Sequence, residues 1–150
     1  MPLTLTVEDR LDIDQTITRY AHILNNTDFD ALDLVFTHDA VLSTAGVTEP
    51  RRGIAEIREA LSAHPIADHM TTNVCIDVAD NGVRVWSMFL VVTDEGRAIN
   101  GDYLDVVVRT EAGWRVAERT VVRRYPGADA EANTVAYESW LFSRRRSMYG

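Results

Sequence analysis

The stretch RYAHILNNTDFDAL, residues 19–32, decides how the rest of the chain is interpreted. Its first half continues an apolar stripe, which predicts the last turns of an amphipathic helix over residues 7–24. Two consecutive asparagines, Asn25 first, predict a break, because asparagine side chains compete for backbone hydrogen bonds. Thr27 has the position of an N-cap for a second helix. If later strands curl around these helices, Tyr20 and Asn25 point into a pocket.

The composition argues against several classes of function. The chain has 150 residues, of which 46% are hydrophobic and 25% charged, as in one soluble domain able to enclose a small ligand. Its net charge of -8 argues against nucleic acid as a partner, because phosphate binding needs a basic surface. No stretch resembles a signal peptide or a membrane span, and a single cysteine, Cys75, fits a reducing compartment. We therefore expect a cytoplasmic protein that binds neither nucleic acid nor membranes.

The hydrophobic pattern changes from a helical to an alternating period near Asp68, after a further predicted helix over residues 53–63. Four strands follow, over about residues 70–78, 83–93, 97–110 and 114–124, with turn-forming residues between them. Helices followed by an antiparallel meander predict an α+β domain over residues 1–127. Residues 128–150 form a tail with helical potential, whose apolar side chains can pack on the domain or on a partner subunit.

Polar and ionisable side chains lie among large apolar residues along the predicted strands. His69 and Asn73 share one face of their strand if no bulge intervenes. Tyr103 and Asp105 share a face of the third long strand, and Arg119 lies near the centre of the fourth. Burying such groups costs free energy unless they are paired, so they are candidates for a functional site.

Each candidate also has a structural interpretation. His69 could be a histidine at a strand edge, and Tyr20 could be a core tyrosine with a satisfied hydroxyl. Asp105 and Arg119 could pair as a structural ion bridge. No cluster of histidines and cysteines has metal-ligand spacing, and no phosphate-binding loop or nucleophile elbow is present. We therefore expect no metal, and nucleophilic catalysis is the weaker hypothesis.

Several short motifs occur in a characteristic order: Tyr20-x4-Asn25-x2-Asp28-Phe-Asp-Ala-Leu, Phe36-x2-Asp39-Ala-Val, Gly53-x3-Ile57-Arg, His69-x3-Asn73, Gly101-x-Tyr103-x-Asp105 and Gly113-Trp-Arg-x3-Arg119. Together they resemble the SnoaL-like branch of the nuclear transport factor 2-like (NTF2-like) superfamily, over nearly the whole chain. The resemblance implies a cone, in which a strongly curved antiparallel sheet wraps around N-terminal helices and leaves an internal pocket. It also implies that no cofactor is needed and that subunits associate as dimers or trimers through the outer face of the sheet.

The resemblance further implies roles for individual residues. Tyr20 matches the tyrosine that polarises the substrate carbonyl in steroid isomerase and bile-acid dehydratases. His69 matches the histidine base of dehydratase and dehydrochlorinase members. Asp105 matches an acidic residue of the bile-acid dehydratases, and Arg119 matches a pocket arginine of the dehydrochlorinase type. Asn25 departs from the pattern, because those members carry there an aspartate that pairs with the histidine.

We therefore expect a cofactor-independent lyase or isomerase, of dehydratase or cyclase type, that acts on a small apolar carbonyl compound as a homodimer or homotrimer. Tyr20 would donate a hydrogen bond to the developing enolate, and His69 would remove the neighbouring proton. Asp105 would replace the carboxylate that is missing at Asn25. The residues expected to contact the substrate are Asn25, Asn73, Trp86, Tyr103 and Arg119.

The alternative is a non-catalytic ligand-binding or assembly module with a degenerate pocket. Distance distinguishes the two hypotheses. An Asp105 carboxylate within about 2.6–3.2 Å of His69 would support catalysis. An Asp105 that bonds Arg119 instead would leave a weaker base, and a pocket filled by side chains such as Trp86 or Met88 would support the binding module.

Overall fold

The computed structural model describes residues 3–64, 67–79 and 82–140. Its elements, in chain order, are α1 (Val7–Asn26), a 3-10 helix (Phe29–Leu34), β1 (Phe36–Thr44), β2 (Arg51–Arg52), α2 (Gly53–Ser62), β3 (Ala67–Ala79), β4 (Gly82–Thr93), β5 (Ala98–Thr110), β6 (Gly113–Tyr125) and α3 (Ala130–Trp140). Among these residues, no helix combines the length and the apolar character that crossing a bilayer would require.

The strands form one curved sheet in the order β2-β1-β6-β5-β4-β3. The four long strands pair as the predicted antiparallel meander, which confirms the α+β, NTF2-like fold. The pairing of β1 with β6 is parallel, which the meander pattern did not predict. The concave face of the sheet packs on α1 and encloses the main hydrophobic core. We call this the inner face, and the opposite one the outer face.

Helix α1 begins with a capping box in which Thr6 and Asp9 satisfy each other's backbone N–H groups. The helix runs through Asn26, so the predicted break at Asn25 is wrong. Thr27 has a left-handed φ of 54° and its N–H closes the last turn, so it is the C-cap of α1 instead of the N-cap of a second helix. The predicted second helix is only a 3-10 segment, because β1 begins two residues after it ends.

A bulge interrupts β3 between Thr72 and Cys75. Asn73 has a φ of 53° at this bulge, a left-handed conformation that asparagine tolerates better than most residues. The bulge reverses the alternation, so Asn73 is exposed and its amide contacts the sulfur of Met88 at 3.2 Å. Met88 belongs to the outer face, because its neighbour Phe89 points into the main core and side chains alternate along the strand. The prediction that Asn73 contacts the substrate is therefore wrong.

Helix α3 lies against the outer face. Its Ala136 and Tyr137 pack with Leu104 and Val122 of the sheet in a second, smaller hydrophobic cluster. The last residues of the predicted tail, 141–150, lie outside the described residues. The part of the tail that is described thus contacts the domain itself.

Candidate active site

A buried ion pair lies at the centre of the inner face. Arg119 and Asp105 are opposite each other on β6 and β5. The guanidinium donates from Nε to Oδ1 at 2.8 Å and from Nη2 to Oδ2 at 2.7 Å, and both side chains are fully buried. Burial opposes the charge of Arg119, but the Asp105 carboxylate outweighs it and raises the pKa of the guanidinium. Burial also raises the pKa of Asp105, and the Arg119 cation and its two hydrogen bonds oppose that rise. Two short, parallel bonds of this kind are typical of a charged guanidinium–carboxylate pair that is neutral as a whole.

Two tyrosine rings hold the guanidinium. The Cζ atom of Arg119 lies 4.3 Å from the ring centroid of Tyr20 and 4.1 Å from that of Tyr103. The two rings meet edge to face, with centroids 5.5 Å apart, and Phe89 stacks on Tyr103 at 4.8 Å. Such contacts favour a cation over an aromatic face, most strongly where water is excluded. The position of the guanidinium is thus fixed before any ligand arrives.

Two buried polar atoms on the inner face have no hydrogen-bond partner. They are Nη1 of Arg119, the nitrogen that Asp105 does not bond, and Oγ of Ser87. Ser87 pairs with Tyr103 across the strands, so its side chain projects from the same face. Buried polar groups are almost always satisfied, and an exception calls for a bound molecule or water. These atoms are suited to hold an acceptor oxygen of a ligand.

The Tyr20 hydroxyl lies in the same environment. Tyr20 is 3% exposed and projects from α1 towards the inner face. Burial raises the pKa of this phenol, against the opposing influence of the Arg119 cation. The hydroxyl therefore keeps its proton at neutral pH and is able to donate a hydrogen bond.

His69 lies near the beginning of β3, half-buried, where Asn25 fixes its backbone. Its N–H donates to Oδ1 of Asn25 at 2.6 Å, and Nδ2 of Asn25 donates to its carbonyl oxygen at 2.9 Å. The ring Nδ1 lies 3.1 Å from the carbonyl oxygen of Ala67. Because a carbonyl only accepts, this contact places the ring hydrogen on Nδ1 and leaves a lone pair on Nε2. Burial lowers the pKa of His69, so the imidazole is neutral near pH 7.

Asp105 does not support His69. In register, His69 pairs with Val91 and Val91 with Ile99, whereas Asp105 lies six residues further along β5. Both oxygens of the Asp105 carboxylate accept from Arg119, and the His69 ring bonds the Ala67 carbonyl instead. The expected replacement of the missing carboxylate by Asp105 is therefore wrong. Asn25 was expected to contact the substrate, but both polar groups of its side-chain amide bind the His69 backbone instead.

Trp86 is on the other side of the sheet. It pairs with Cys75 and Leu104, and its Nε1–H donates to Asp102 at 3.0 Å. The residues that point inward from β4 are instead Val83, Val85, Ser87 and Phe89, all of them buried. The prediction that Trp86 contacts the substrate is thus wrong, and both Trp86 and Met88 lie on the outer face.

The fold therefore gathers Tyr20, Tyr103, Asp105 and Arg119 in one cluster. His69 lies beside Asn25, nearer the C-terminal end of α1. Tyr20 and Asn25 are five residues apart, or about 7.5 Å along the helix axis. Sequence reasoning missed Ser87. The available signal was the alternation Val83, Val85, Ser87, Phe89, in which a small hydroxyl residue interrupts a row of apolar ones. Among the described residues, no three histidine, cysteine, aspartate or glutamate side chains are grouped as metal ligands.

Comparison with known proteins supplies the family. Residues 5–120 match the family described as the SnoaL-like domain. The uncharacterized protein Rv2910c of Mycobacterium tuberculosis is 28% identical over 123 residues, which cover 75% of this chain and 84% of that protein.

Two solved structures from Novosphingobium aromaticivorans are also similar. One, provisionally described as an aromatic ring hydroxylase, is 31% identical with a TM-score of 0.67 and covers 87% of this chain and 99% of its own. The other, provisionally described as a scytalone dehydratase, is 20% identical with a TM-score of 0.67 over 79% of this chain and 85% of its own. At 20% identity, the second likeness shows the fold alone.

Proposed function

The chain belongs to the SnoaL-like family, and from this premise we propose that it is a cofactor-independent enzyme of dehydratase, isomerase or cyclase type. Its substrate would be a small, largely apolar carbonyl compound that lies between α1 and the inner face of the sheet. A solved structure that shares this fold is provisionally described as a scytalone dehydratase, and the proposal extends that class of chemistry to this chain.

The observation that carries the proposal is the unpartnered Nη1 of Arg119, buried beside the Tyr20 ring. Because Asp105 already neutralises this guanidinium and the pair is fully buried, a neutral carbonyl is a better ligand than a free anion, whose desolvation would not be offset. Negative charge that develops on the carbonyl oxygen during reaction would be stabilised by the Arg119 N–H and by the Tyr20 hydroxyl. Donors that are fixed in advance at such a position contribute the largest share of many enzymatic rate enhancements.

His69 would act as the base. Its neutral Nε2 would take a proton from the carbon next to the carbonyl, and the C–H electron pair would move to form the enolate, whose oxygen carries the negative charge. In a dehydration, the enolate re-forms the carbonyl and expels the hydroxyl group at the β-carbon. The imidazolium returns its proton to this hydroxyl, which leaves as water. In an isomerisation, the same proton is returned to a different carbon.

A test of this proposal uses a panel of aryl β-hydroxyketones, whose dehydration gives a conjugated enone with a strong ultraviolet absorption. We expect turnover by the native chain and its loss in His69→Gln, with no change in thermal unfolding. His22→Gln is the matched control, since His22 is an exposed histidine of α1. Equal activity of the native chain and His69→Gln would overturn the assignment of the base.

A second candidate function is a non-catalytic binding module for the same class of ligand. Two observations favour it. Asp105 pairs with Arg119, and the described contact of the His69 ring is with a backbone carbonyl and not with a carboxylate that would strengthen the base. The two functions differ in turnover and not in binding. Saturable binding of ketones that depends on Arg119, without turnover of any β-hydroxyketone in the panel, would establish the binding module instead.

A further inference from the structure

A cavity lies on the outer face of the sheet, and the sheet itself separates it from the residues of the inner face. It has a volume of about 410 Å³ and lies between α3 and strands β4 and β6. Trp86, Arg124, Tyr125, Asn133 and Tyr137 are among the residues that line it. This volume is within the range of pockets that hold small organic molecules.

One buried carboxylate fixes the walls of this outer cavity. Asp102 is fully buried and accepts hydrogen bonds from Nε1 of Trp86 at 3.0 Å, from Nε of Arg124 at 2.6 Å and from the Tyr137 hydroxyl. The rings of Trp86 and Tyr137 are 6.4 Å apart and inclined at 59°. Two aromatic walls and one guanidinium are therefore held in place in the absence of a ligand, which lowers the entropic cost of binding one.

Attachment of α3 does not account for all of these features. The Tyr137–Asp102 bond and the packing of Ala136 on Leu104 and Val122 are sufficient to hold the helix. A helix packed only for stability would close the space beneath it, because protein interiors are close-packed. Here a cavity remains, and Tyr125 at its edge is 70% exposed. Ligand sites are commonly lined by aromatic side chains, and an exposed tyrosine beside a preformed aromatic cavity fits that pattern.

We propose that the outer cavity is a second binding site, for a flat aromatic compound of one or two rings that carries an acceptor oxygen. The rings would lie against Trp86 and Tyr137, and the oxygen would accept from the guanidinium of Arg124. Asp102 offsets the charge of Arg124, so the site selects for an acceptor and not for a cation. This site does not depend on the function proposed for the inner face.

The test uses 1-naphthoate as the probe, with the full chain in 1H–15N correlation spectra. The indole N–H of Trp86 reports on the outer cavity, and it is assigned from its loss in Trp86→Phe. The indole of Trp114 bonds Asp9 at the α1 end of the fold and serves as an internal reference. We expect a saturable shift of the Trp86 signal, no shift of the Trp114 signal, and no binding of the cation 1-naphthylmethylammonium.

Arg124→Met should weaken naphthoate binding by about tenfold or more, the loss expected for one charge-assisted hydrogen bond. Arg123→Met is the matched control, because it removes the same charge from the adjacent, exposed residue. Three results would each overturn the proposal: no saturable shift at millimolar naphthoate, shifts confined to the inner face, or equal weakening by the two arginine substitutions.

Discussion

The side-chain amide of Asn25 binds the backbone of His69 through both of its polar groups, at 2.6 Å to the N–H and 2.9 Å to the carbonyl oxygen. This pair of bonds joins the end of α1 to the beginning of β3. It therefore fixes the backbone from which the His69 imidazole projects. An amide satisfies both backbone groups at once, because its oxygen accepts from the N–H and its NH2 group donates to the carbonyl. The asparagine at this position is therefore a structural clamp.

Asn25→Asp should destabilise the protein. The carboxylate would still accept from the His69 N–H, but it would face the carbonyl oxygen without a donor. We expect a loss of about 1–3 kcal/mol in the free energy of unfolding, measured by urea denaturation. Asn26→Asp is the control, because Asn26 is exposed and its side-chain amide donates to the His22 carbonyl at the helix surface. An Asn25→Asp protein as stable as the native one and faster in turnover would contradict the clamp and restore a His–Asp dyad.

Activity should depend on pH through the neutral form of His69. Burial lowers the pKa of this imidazole below its usual 6.5, so the base is already free at neutral pH. The rate should be level above pH 6.5 and should fall as the pH decreases through the lowered pKa. The same shift makes His69 contribute stability above pH 6.5 that is lost on acidification. A profile of kcat/KM against pH measures this, and an acid limb centred above 6.5 would contradict it.

Removing one partner of the Arg119–Asp105 pair should greatly lower the free energy of unfolding. Arg119→Met leaves the Asp105 carboxylate fully buried without its cation, and such losses amount to about 3–5 kcal/mol. The double variant Arg119→Met with Asp105→Leu should be more stable than Arg119→Met alone, yet bind no ketone. Both are compared by chemical denaturation. The control Arg58→Met breaks an exposed pair with Asp30 and should change stability by less than about 1 kcal/mol. Arg119→Met as stable as Arg58→Met would contradict the interpretation of the pair.

Stability at low pH should report on Asp9. Bonds from the Trp114 indole and from Thr6 lower the pKa of Asp9 from 3.8 to about 2. A lowered pKa contributes stability that is present above 3.8 and lost as the pH falls towards 2. Asp9→Asn should therefore flatten the dependence of the unfolding temperature on pH in this range. Asp14→Asn, at an exposed position of α1, should leave the slope unchanged. Equal slopes for native and Asp9→Asn proteins would contradict the assignment.

Local patterns predicted most of the fold. The alternating strands and the apolar stripe of α1 are encoded within short segments, so the meander and the first helix were found within a few residues of their observed ends. The parallel contact of β1 with β6 joins residues 77 to 80 apart in the chain, and no local pattern encodes it. The helix also continues through Asn25 and Asn26, because tertiary bonds of Asn25 to His69 override its weak helix propensity.

The candidate site was predicted where residues alternate regularly and missed where they do not. Tyr103, Asp105 and Arg119 lie between the two register shifts of the β5–β6 pair, where the pairing is regular, and they meet. Asn73 lies at a bulge, where one extra residue moves every later side chain to the opposite face. Trp86 was misplaced for another reason. Large apolar residues lie on both faces of β4, and Trp86 on the outer one packs with α3, so hydrophobicity does not show which face is inner.

Proton removal by His69 is tested most simply by hydrogen exchange at the carbon next to a carbonyl, because no leaving group is involved. Aryl ketones that lack the β-hydroxyl are incubated with the protein in D2O, and loss of the α-proton signal is followed by 1H NMR. We expect the native protein to exchange the α-proton well above the buffer rate. In His69→Gln the exchange rate should decrease by about 10²–10⁴-fold. Exchange that persists in His69→Gln, or a native rate equal to that of buffer, would contradict proton removal by His69.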